Sequence, residues 1–212
     1  MVATEESPAV TRLQIFLVIL ALACGGFAIG TGEFAVMGLL PDVAGTFAVT
    51  TPQAGYVISA YALGVVVGAP LIAIAGAKSS RRTLLLILMA VFTVGNLASA
   101  VAPDFLSFIV LRFLSGLPHG AYFGVSALVA ASLVPLDMRA RTVGYVMLGL
   151  TGATLVGTPL MALFGQYLSW RVMFFAVGFL SALTVTLIWL YLPRDTPAAG
   201  ASVVRELVAF TH

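Results

Sequence analysis

Apolar residues follow one another in six long runs that are separated by short polar connectors. The runs cover residues 13–40, 53–76, 83–101, 105–133, 142–167 and 172–192. A helix needs about 20 mostly apolar residues to cross the hydrocarbon core of a bilayer. The pattern therefore predicts an all-α membrane protein with six transmembrane helices. The first and fourth runs are longer than this, so we expect them to tilt or to include interfacial turns.

The composition agrees with a membrane protein and excludes several other classes. The chain is 61% hydrophobic and 8% charged, whereas soluble domains carry about 25% charged residues. The net charge of +2 does not indicate nucleic-acid binding. Cys24 is the single cysteine, which excludes an intrachain disulfide. The sequence has neither the Cys/His spacing of a metal site nor a Walker-type ATP motif, so we expect no metal and no other cofactor.

Basic residues lie mainly on one side of the predicted bundle. If the amino terminus is inside, eight of them are cytoplasmic, Arg171 is outside and Arg112 falls within the fourth run. This bias predicts a multi-pass protein of the cell inner membrane, with residues 1–12 cytoplasmic and residues 193–212 beginning a cytoplasmic linker. The eight are Arg12, Lys78, Arg81, Arg82, Arg139, Arg141, Arg194 and Arg205.

A cleaved signal peptide is the alternative interpretation of the first run. Ala21 and Ala23 precede Cys24 in an A-x-A arrangement. The apolar run continues well beyond Cys24, however, and the preceding residues include Glu5 and Glu6, which is untypical of a signal peptide. A membrane-spanning helix is therefore the preferred interpretation.

An internal repeat relates the two halves of the chain. Residues 55–82 align without gaps with residues 144–171, at an offset of 89. The second and fifth helices, which carry the repeat, would cross the bilayer in opposite directions. The sequence therefore predicts a 3+3 inverted repeat, with copies at about 13–101 and about 105–192, which is an architecture of transporters. The identical positions in the first copy are Gly55, Tyr56, Val57, Val67, Gly68, Pro70, Leu71, Ala73, Gly76 and Arg82.

Both copies of the repeat carry a glycine two residues before a proline. These pairs are Gly68 with Pro70 and Gly157 with Pro159. Proline removes a hydrogen bond of the helix, and glycine permits bending and close packing. The pairs therefore either pack helices together or let the second and fifth helices bend, and the two roles are compatible.

Few polar residues lie inside the apolar runs, and an ionisable residue there is a candidate for function. Glu33 lies seven residues before the outer end of the first run, and Arg112 lies seven residues after the outer start of the fourth. Both are thus about 10 Å below the outer boundary. If their helices line one cavity, the two side chains can interact directly or through water. Either Arg112 holds Glu33 ionised in a structural pair, or Glu33 exchanges a proton as its surroundings change from dry to cationic.

His119 lies seven residues after Arg112 on a similar helix face. It either relays protons, contacts substrate or hydrogen-bonds a neighbour. Its spacing from Ser115 raises the remote alternative of an intramembrane hydrolase, but no third partner or oxyanion hole is evident, so we expect no enzyme. Candidates for a substrate cavity are Phe34, Tyr61, Asn96, Tyr122 and Phe123, although aromatic residues in membrane helices also face lipid or pack.

Three stretches resemble the drug/proton antiporter branch of the major facilitator superfamily. They are "GEFAVMGLLPDVA" for its first-helix signature, "LRFLSGLPHGAYFG" for its fourth-helix motif and "GATLVGTPLMALFGQYLSWR" for its fifth-helix antiporter motif. The similarity covers residues 12–195 and is to permeases of the arabinose-efflux or chloramphenicol-resistance type. The positions that match the antiporter motif are Gly149, Gly157, Pro159 and Gly165.

The resemblance implies alternating access driven by proton influx, with export of small, often amphipathic molecules. It implies that Arg112 supports proton coupling and that Glu33 faces the central cavity. The expected partners are a small-molecule substrate, protons and the lipid bilayer.

The connector after the second run departs from the family's pattern. Ala77 stands where an aspartate is usual and Ser80 where a glycine is usual, while Lys78, Arg81 and Arg82 keep the basic positions. The connector either fixes topology and contacts lipid headgroups, or acts as a cytoplasmic gate that pairs with carboxylates in one conformation.

The length is a second departure. Members of this branch have about twelve helices, so the chain corresponds to the amino-terminal six and part of the central linker. We expect a fragment, a truncated product or a half-size protein that needs the carboxy-terminal half or a second copy to complete the cavity. A transport-inactive fragment or a small membrane scaffold is the alternative.

Overall fold

The computed structural model describes residues 11–76 and 79–194 as helices and short connectors, with no strand among them. It confirms the predicted all-α fold with six apolar spans: Arg12–Phe47, Thr51–Gly76, Arg81–Ala100, Phe105–Ser132, Leu136–Tyr167 and Trp170–Tyr191. The α-helices are α1 (Arg12–Phe34), α2 (Leu40–Phe47), α3 (Thr51–Ala54), α4 (Tyr56–Gly76), α5 (Arg81–Ala100), α6 (Phe105–Ser132), α7 (Arg139–Gly152), α8 (Thr158–Tyr167) and α9 (Trp170–Tyr191). Most of the predicted cytoplasmic segments, at 1–10 and 195–212, lie outside the described residues, and so does Arg205.

Polar side chains start four of the long helices at the ends of the apolar runs. Thr11, Ser80 and Ser169 accept hydrogen bonds from amide groups in the first turns of α1, α5 and α9. Asp104 begins α6 in a capping box with Ser107. These bonds satisfy amide groups that have no partner within the helix, so the helices begin where the connectors supply a hydroxyl or a carboxylate.

Two of the longer spans are interrupted. A 3-10 turn at Ala35–Leu39 separates α1 from α2, and a π turn at Ala153–Gly157 separates α7 from α8. Pro159 has no amide hydrogen to donate to the carbonyl four residues earlier, which lies in the π turn. Pro70, its counterpart in the repeat, lies inside the continuous α4. The two proline motifs therefore have different effects on their helices.

Helix packing follows the predicted inverted repeat. α4 of the second span packs against α6 of the fourth, and α7 of the fifth span packs against α1 of the first. α5 packs against α6 as α9 packs against α1, and α5 and α9 pack against each other. An inverted repeat relates the first three spans to the last three, so each contact should have a counterpart. The α4–α6 contact corresponds to the α7–α1 contact, the α5–α6 contact to the α9–α1 contact, and the α5–α9 contact to itself.

Two equivalent arginines join α5 to α9 at opposite ends of the pair. Nη2 of Arg82 donates a hydrogen bond of 2.5 Å to the carbonyl of Trp189. Nη1 of Arg171 donates a hydrogen bond of 2.8 Å to the carbonyl of Ala100. The two donors (82 and 171) and the two acceptors (100 and 189) are each separated by 89, the offset of the repeat. The bonds are therefore images of one another, and each satisfies a carbonyl in the last turn of a helix.

The buried core has two parts along the bundle. One part lies among α1, α5, α6 and α9, and the other centres on the aromatic side chains of Phe47, Phe108, Trp170 and Phe174. Nε1 of Trp170 also donates a hydrogen bond of 2.8 Å to Oγ1 of Thr46. The end of the first span is thereby fixed to the start of the sixth.

Glycine allows two helix pairs to approach closely. A Cβ atom on Gly68 of α4 would overlap backbone atoms of Leu117 in α6. A Cβ atom on Gly149 of α7 would likewise overlap the backbone of Ala23 in α1. In lipid, where apolar side chains gain little by leaving the solvent, close packing of this kind supplies much of the attraction between helices.

We expect Gly68→Ala to lower the thermal stability of the purified chain in detergent. The added methyl group forces α4 away from α6, which costs about 1–3 kcal/mol and lowers the melting temperature by several degrees. Gly124→Ala is the matched control, because a Cβ atom there meets nothing within 4 Å. Equal melting temperatures for the two variants would contradict the packing described here.

Candidate functional site

Four polar side chains from three helices meet inside the bundle, and we refer to them as the polar cluster. They are Glu33 on α1, Tyr61 on α4, and Arg112 and His119 on α6. α1 and α4 both pack against α6, although α4 does so more extensively. The cluster therefore joins the first, second and fourth spans.

The imidazole of His119 lies at the centre of the polar cluster. Its Nδ1 atom is 3.0 Å from the hydroxyl oxygen of Tyr61 and 3.7 Å from Oε2 of Glu33. Without a proton, Nδ1 accepts a hydrogen bond from the Tyr61 hydroxyl. In an imidazolium, with both ring nitrogens protonated, Nδ1 is a donor and the ring can form an ion pair with the Glu33 carboxylate. One nitrogen thus has two competing partners, and its proton decides between them.

Arg112 lies behind Tyr61 and is wholly buried. Its Nη2 atom donates a hydrogen bond of 3.2 Å to the carbonyl of Gly32, and its guanidinium lies 4.2 Å from the centre of the Tyr61 ring. Among the described residues, its Nε and Nη1 atoms have no hydrogen-bond partner. A cation over an aromatic face is stabilised by the ring, more strongly where water is excluded.

The direct pairing of Glu33 with Arg112, one of the arrangements considered from the sequence, is absent from the described residues. The carboxylate of Glu33 lies 3.7 Å from Nδ1 of His119 instead, a contact that is an ion pair only when the imidazole is protonated. Arg112 reaches α1 through the carbonyl of Gly32, the residue before Glu33. The predicted common depth is therefore consistent with the contacts, but the ring of Tyr61 covers the face of the guanidinium.

Asn96 of α5 borders the same part of α1. Its Nδ2 atom donates a hydrogen bond of 2.8 Å to the carbonyl of Phe92, while its Oδ1 atom has no partner among the described residues. A Cβ atom on Gly32 would lie 3.5 Å from that oxygen. Asn96 is wholly buried between helices. Its side chain therefore adds a polar group to the packing and offers no exposed surface to a substrate.

The aromatic candidates fall into two groups. Phe34 and Phe123 are partly exposed, and the ring of Phe123 lies 5.3 Å from that of His119. Tyr122 has no exposed surface, and its hydroxyl donates a hydrogen bond of 2.8 Å to the carbonyl of Leu22. Tyr122 therefore joins α6 to α1, whereas Phe34 and Phe123 keep some exposed surface.

The residues of the antiporter motif lie along the first span rather than in the polar cluster. Gly149 meets the backbone of Ala23, and Gly157 meets the side chain of Thr31. Gly165 packs against Leu39, and Pro159 lies in the first turn of α8. The motif therefore fits the fifth span closely to the first.

The predicted gate residues lie at the start of the third span. Arg82 donates its hydrogen bond to the carbonyl of Trp189, and Arg81 begins α5. Lys78 lies outside the described residues, as does Ala77. The start of the third span is thus tied to the end of the sixth.

The Ser115–His119 pair of the hydrolase alternative does not form. Oγ of Ser115 donates a hydrogen bond of 2.7 Å to the carbonyl of Leu111 and is buried against Gly95. The Nδ1 atom of His119 faces Tyr61 and Glu33. Within the described part of the chain, no group of three or more His, Cys, Asp or Glu residues could hold a metal ion.

Six spans in an inverted repeat, with a small polar cluster inside an apolar bundle, are the features of a multi-pass membrane transport protein. The Major Facilitator Superfamily profile matches residues 22–210. The chain belongs to this family, and the family assigns it to transport proteins rather than to enzymes.

Similar proteins agree with this assignment. The chain is 43% identical over 195 residues to the inner membrane transport protein YdhP of Escherichia coli (strain K12), covering 92% of this chain and 50% of that protein. It is 36% identical over 157 residues to the chloramphenicol resistance protein of Streptomyces lividans, covering 74% and 40%. Its fold is similar to a partially occluded, inward-open structure of the xylose transporter XylE from E. coli, with a TM-score of 0.76, 18% identity and coverage of 93% and 54%. The chain spans about half the length of these proteins.

We expect Tyr61→Leu to destabilise the chain more than Tyr61→Phe. Phenylalanine keeps the ring against Arg112 and loses one hydrogen bond, worth about 0.5–1.5 kcal/mol. Leucine also loses the contact between cation and ring, worth about 2 kcal/mol where water is excluded. Melting temperatures in one detergent measure the difference, and equal losses would show that the ring does not support Arg112.

Proposed function

We propose that the chain forms the amino-terminal half of an exporter that moves small amphipathic molecules across the inner membrane by alternating access, coupled to proton movement. The observation that carries the proposal is the Nδ1 atom of His119, which faces both the Tyr61 hydroxyl and the Glu33 carboxylate. A group with two competing partners can change its contacts when one proton arrives or leaves.

Glu33 and His119 would carry the proton. The side chain of Glu33 is 27% exposed and that of His119 is 14% exposed, so neither is fully enclosed by the bundle. A proton on Glu33 removes its attraction to His119, and the bond between Tyr61 and His119 then prevails. Because Glu33 is on α1 and His119 is on α6, this exchange changes how the first span is held against the fourth.

Arg112 would support this exchange without moving a proton itself. Its charge is buried behind Tyr61 and is tied to the carbonyl of Gly32. A fixed positive charge at this place favours the ionised form of Glu33 whenever the carboxyl group is next to it. The static alternative, in which Arg112 keeps Glu33 ionised throughout, predicts transport without proton coupling.

The substrate would lie against Phe123, whose ring is next to that of His119, and against Phe34, which follows Glu33 in the chain; both residues are partly exposed. Apolar rings next to one carboxylate suit a molecule with an apolar body and a polar or cationic group. The relative from S. lividans is named for resistance to chloramphenicol, which supports a small drug-like substrate. A second six-helix half, or a second copy of the chain, would close the cavity.

Transport into acid-loaded vesicles tests the proposal. With the chain reconstituted, a fluorescent amphipathic cation should accumulate in inverted vesicles with an acidic lumen, and dissipating the pH gradient should stop it. We expect Glu33→Gln to abolish the gradient-driven part, because the amide cannot exchange a proton. Asp42→Asn is the control, since Asp42 is an exposed carboxylate at the end of the first span, outside the cluster.

Two other results would count against the proposal. Gradient-driven uptake that survives in Glu33→Gln would exclude Glu33 as the proton carrier. The absence both of flux and of any ligand-induced rise in melting temperature would favour the alternative of a transport-inactive fragment or a membrane scaffold.

A further inference from the structure

A cleft lies between the start of α5 and the end of α9, away from the polar cluster. Its volume is about 320 Å³. We call it the α5–α9 cleft, and its lining residues are Ser80, Arg82, Thr83, Leu86, Trp189 and Arg194. We propose that this cleft binds a phosphate group, and that the group belongs to the headgroup of an anionic phospholipid.

The charge of the cleft suits a phosphate. Both ionisable residues of its lining are arginines, and neither α5 nor α9 contains an acidic residue. Guanidinium groups bind phosphate oxygens through charge-assisted hydrogen bonds, often two at a time. The hydrogen bond from Arg82 to the carbonyl of Trp189 holds one guanidinium in the wall of the cleft.

Hydroxyl groups add weaker donors beside the arginines. Oγ of Ser80 donates a hydrogen bond of 2.9 Å to Oγ1 of Thr83. The same oxygen accepts a hydrogen bond from the backbone amide of Thr83. Thr83 is exposed, and its hydroxyl keeps its own hydrogen to donate. These two residues begin a 20-residue helix, whose positive end favours an anion in the same cleft.

The remaining lining indicates a lipid as the source of the phosphate. Trp189 is 59% exposed near the end of α9, and tryptophan is enriched at the level of lipid headgroups. Leu86 lies one helical turn further into the span than Arg82. A phospholipid would thus place its phosphate against the arginines and the start of its acyl chains against these two apolar side chains.

The opposite end of the helix pair lacks these features. At the repeat offset of 89, the position equivalent to Arg82 is also an arginine, Arg171. The positions equivalent to Thr83 and Arg194 are occupied by Val172 and Phe105. Arg171 donates hydrogen bonds to the carbonyls of Ala100 and Ala102 and lies over the ring of Trp170. Joining α5 to α9 therefore requires one arginine, and the second arginine and the threonine are particular to the α5–α9 cleft.

Lipid binding to the full chain, measured by native mass spectrometry in a non-ionic detergent, tests the proposal. Phosphatidylglycerol should bind in preference to phosphatidylcholine. Arg194→Gln should weaken its binding about tenfold, the expected loss for a hydrogen bond to a charged group. Arg194 is exposed and follows the last helix, so this variant keeps its fold.

Arg141→Gln is the matched control. Arg141 is also an exposed arginine, and it lies at the start of α7, the same surface of the bundle, where it donates a hydrogen bond to the Tyr145 hydroxyl. We expect less than a twofold effect there. Equal losses in the two variants would indicate attraction to charge in general, and equal binding of the two lipids would show that the cleft does not select an anionic headgroup. Either result would overturn the proposal.

A second arm separates the two sources of phosphate. Inorganic phosphate and glycerol phosphate are added as competitors for phosphatidylglycerol. Displacement of the lipid by either, lost in Arg194→Gln, would support the phosphate site but assign it to a free anion. Retention of the lipid against both would support the phospholipid.

Discussion

A guanidinium that is wholly buried in a membrane protein must find its partners inside the fold, and Arg112 finds them in an aromatic ring and a main-chain carbonyl. These contacts join α6 to α4 and to α1, so a single side chain connects helices from both copies of the repeat. Because neither partner is a carboxylate, Glu33 remains available to His119. The polar cluster therefore depends on Arg112 contacting Tyr61 and the carbonyl of Gly32, while Glu33 contacts His119.

The bundle combines a firmly joined helix pair with two interrupted spans. α5 and α9 are bonded at both ends by Arg82 and Arg171. The first span changes to a 3-10 turn just after Glu33, and the fifth contains a π turn where it packs against the first. Such turns have weaker or displaced hydrogen bonds and are frequent at functional sites. The geometry therefore places the deformable segments of the first and fifth spans on the side of α1 that carries the polar cluster.

Much of the fold could be predicted from the sequence, because the length of an apolar run and the periodic repeat are properties of the chain alone. The six spans and their arrangement as an inverted repeat followed from these. The depths of Glu33 and Arg112 could also be counted along their helices, but counting gives no rotation about the helix axis. For this reason the partner of Glu33 was open, and Tyr61 was expected only as an aromatic wall. Its role as the contact between Arg112 and His119 required the packing of α4 on α6. The side of the membrane that carries the amino terminus stays a prediction.

The shared nitrogen of His119 has a consequence for the shape of the energy surface. Tyr61 and Glu33 approach the same atom from two different helices, and either arrangement leaves one oxygen without its best bond. No single packing satisfies all three groups, so the bundle is locally frustrated at this point while the rest of the fold is mutually consistent. We expect frustration of this kind to place two arrangements close in free energy, which would make this point of the resting chain bistable.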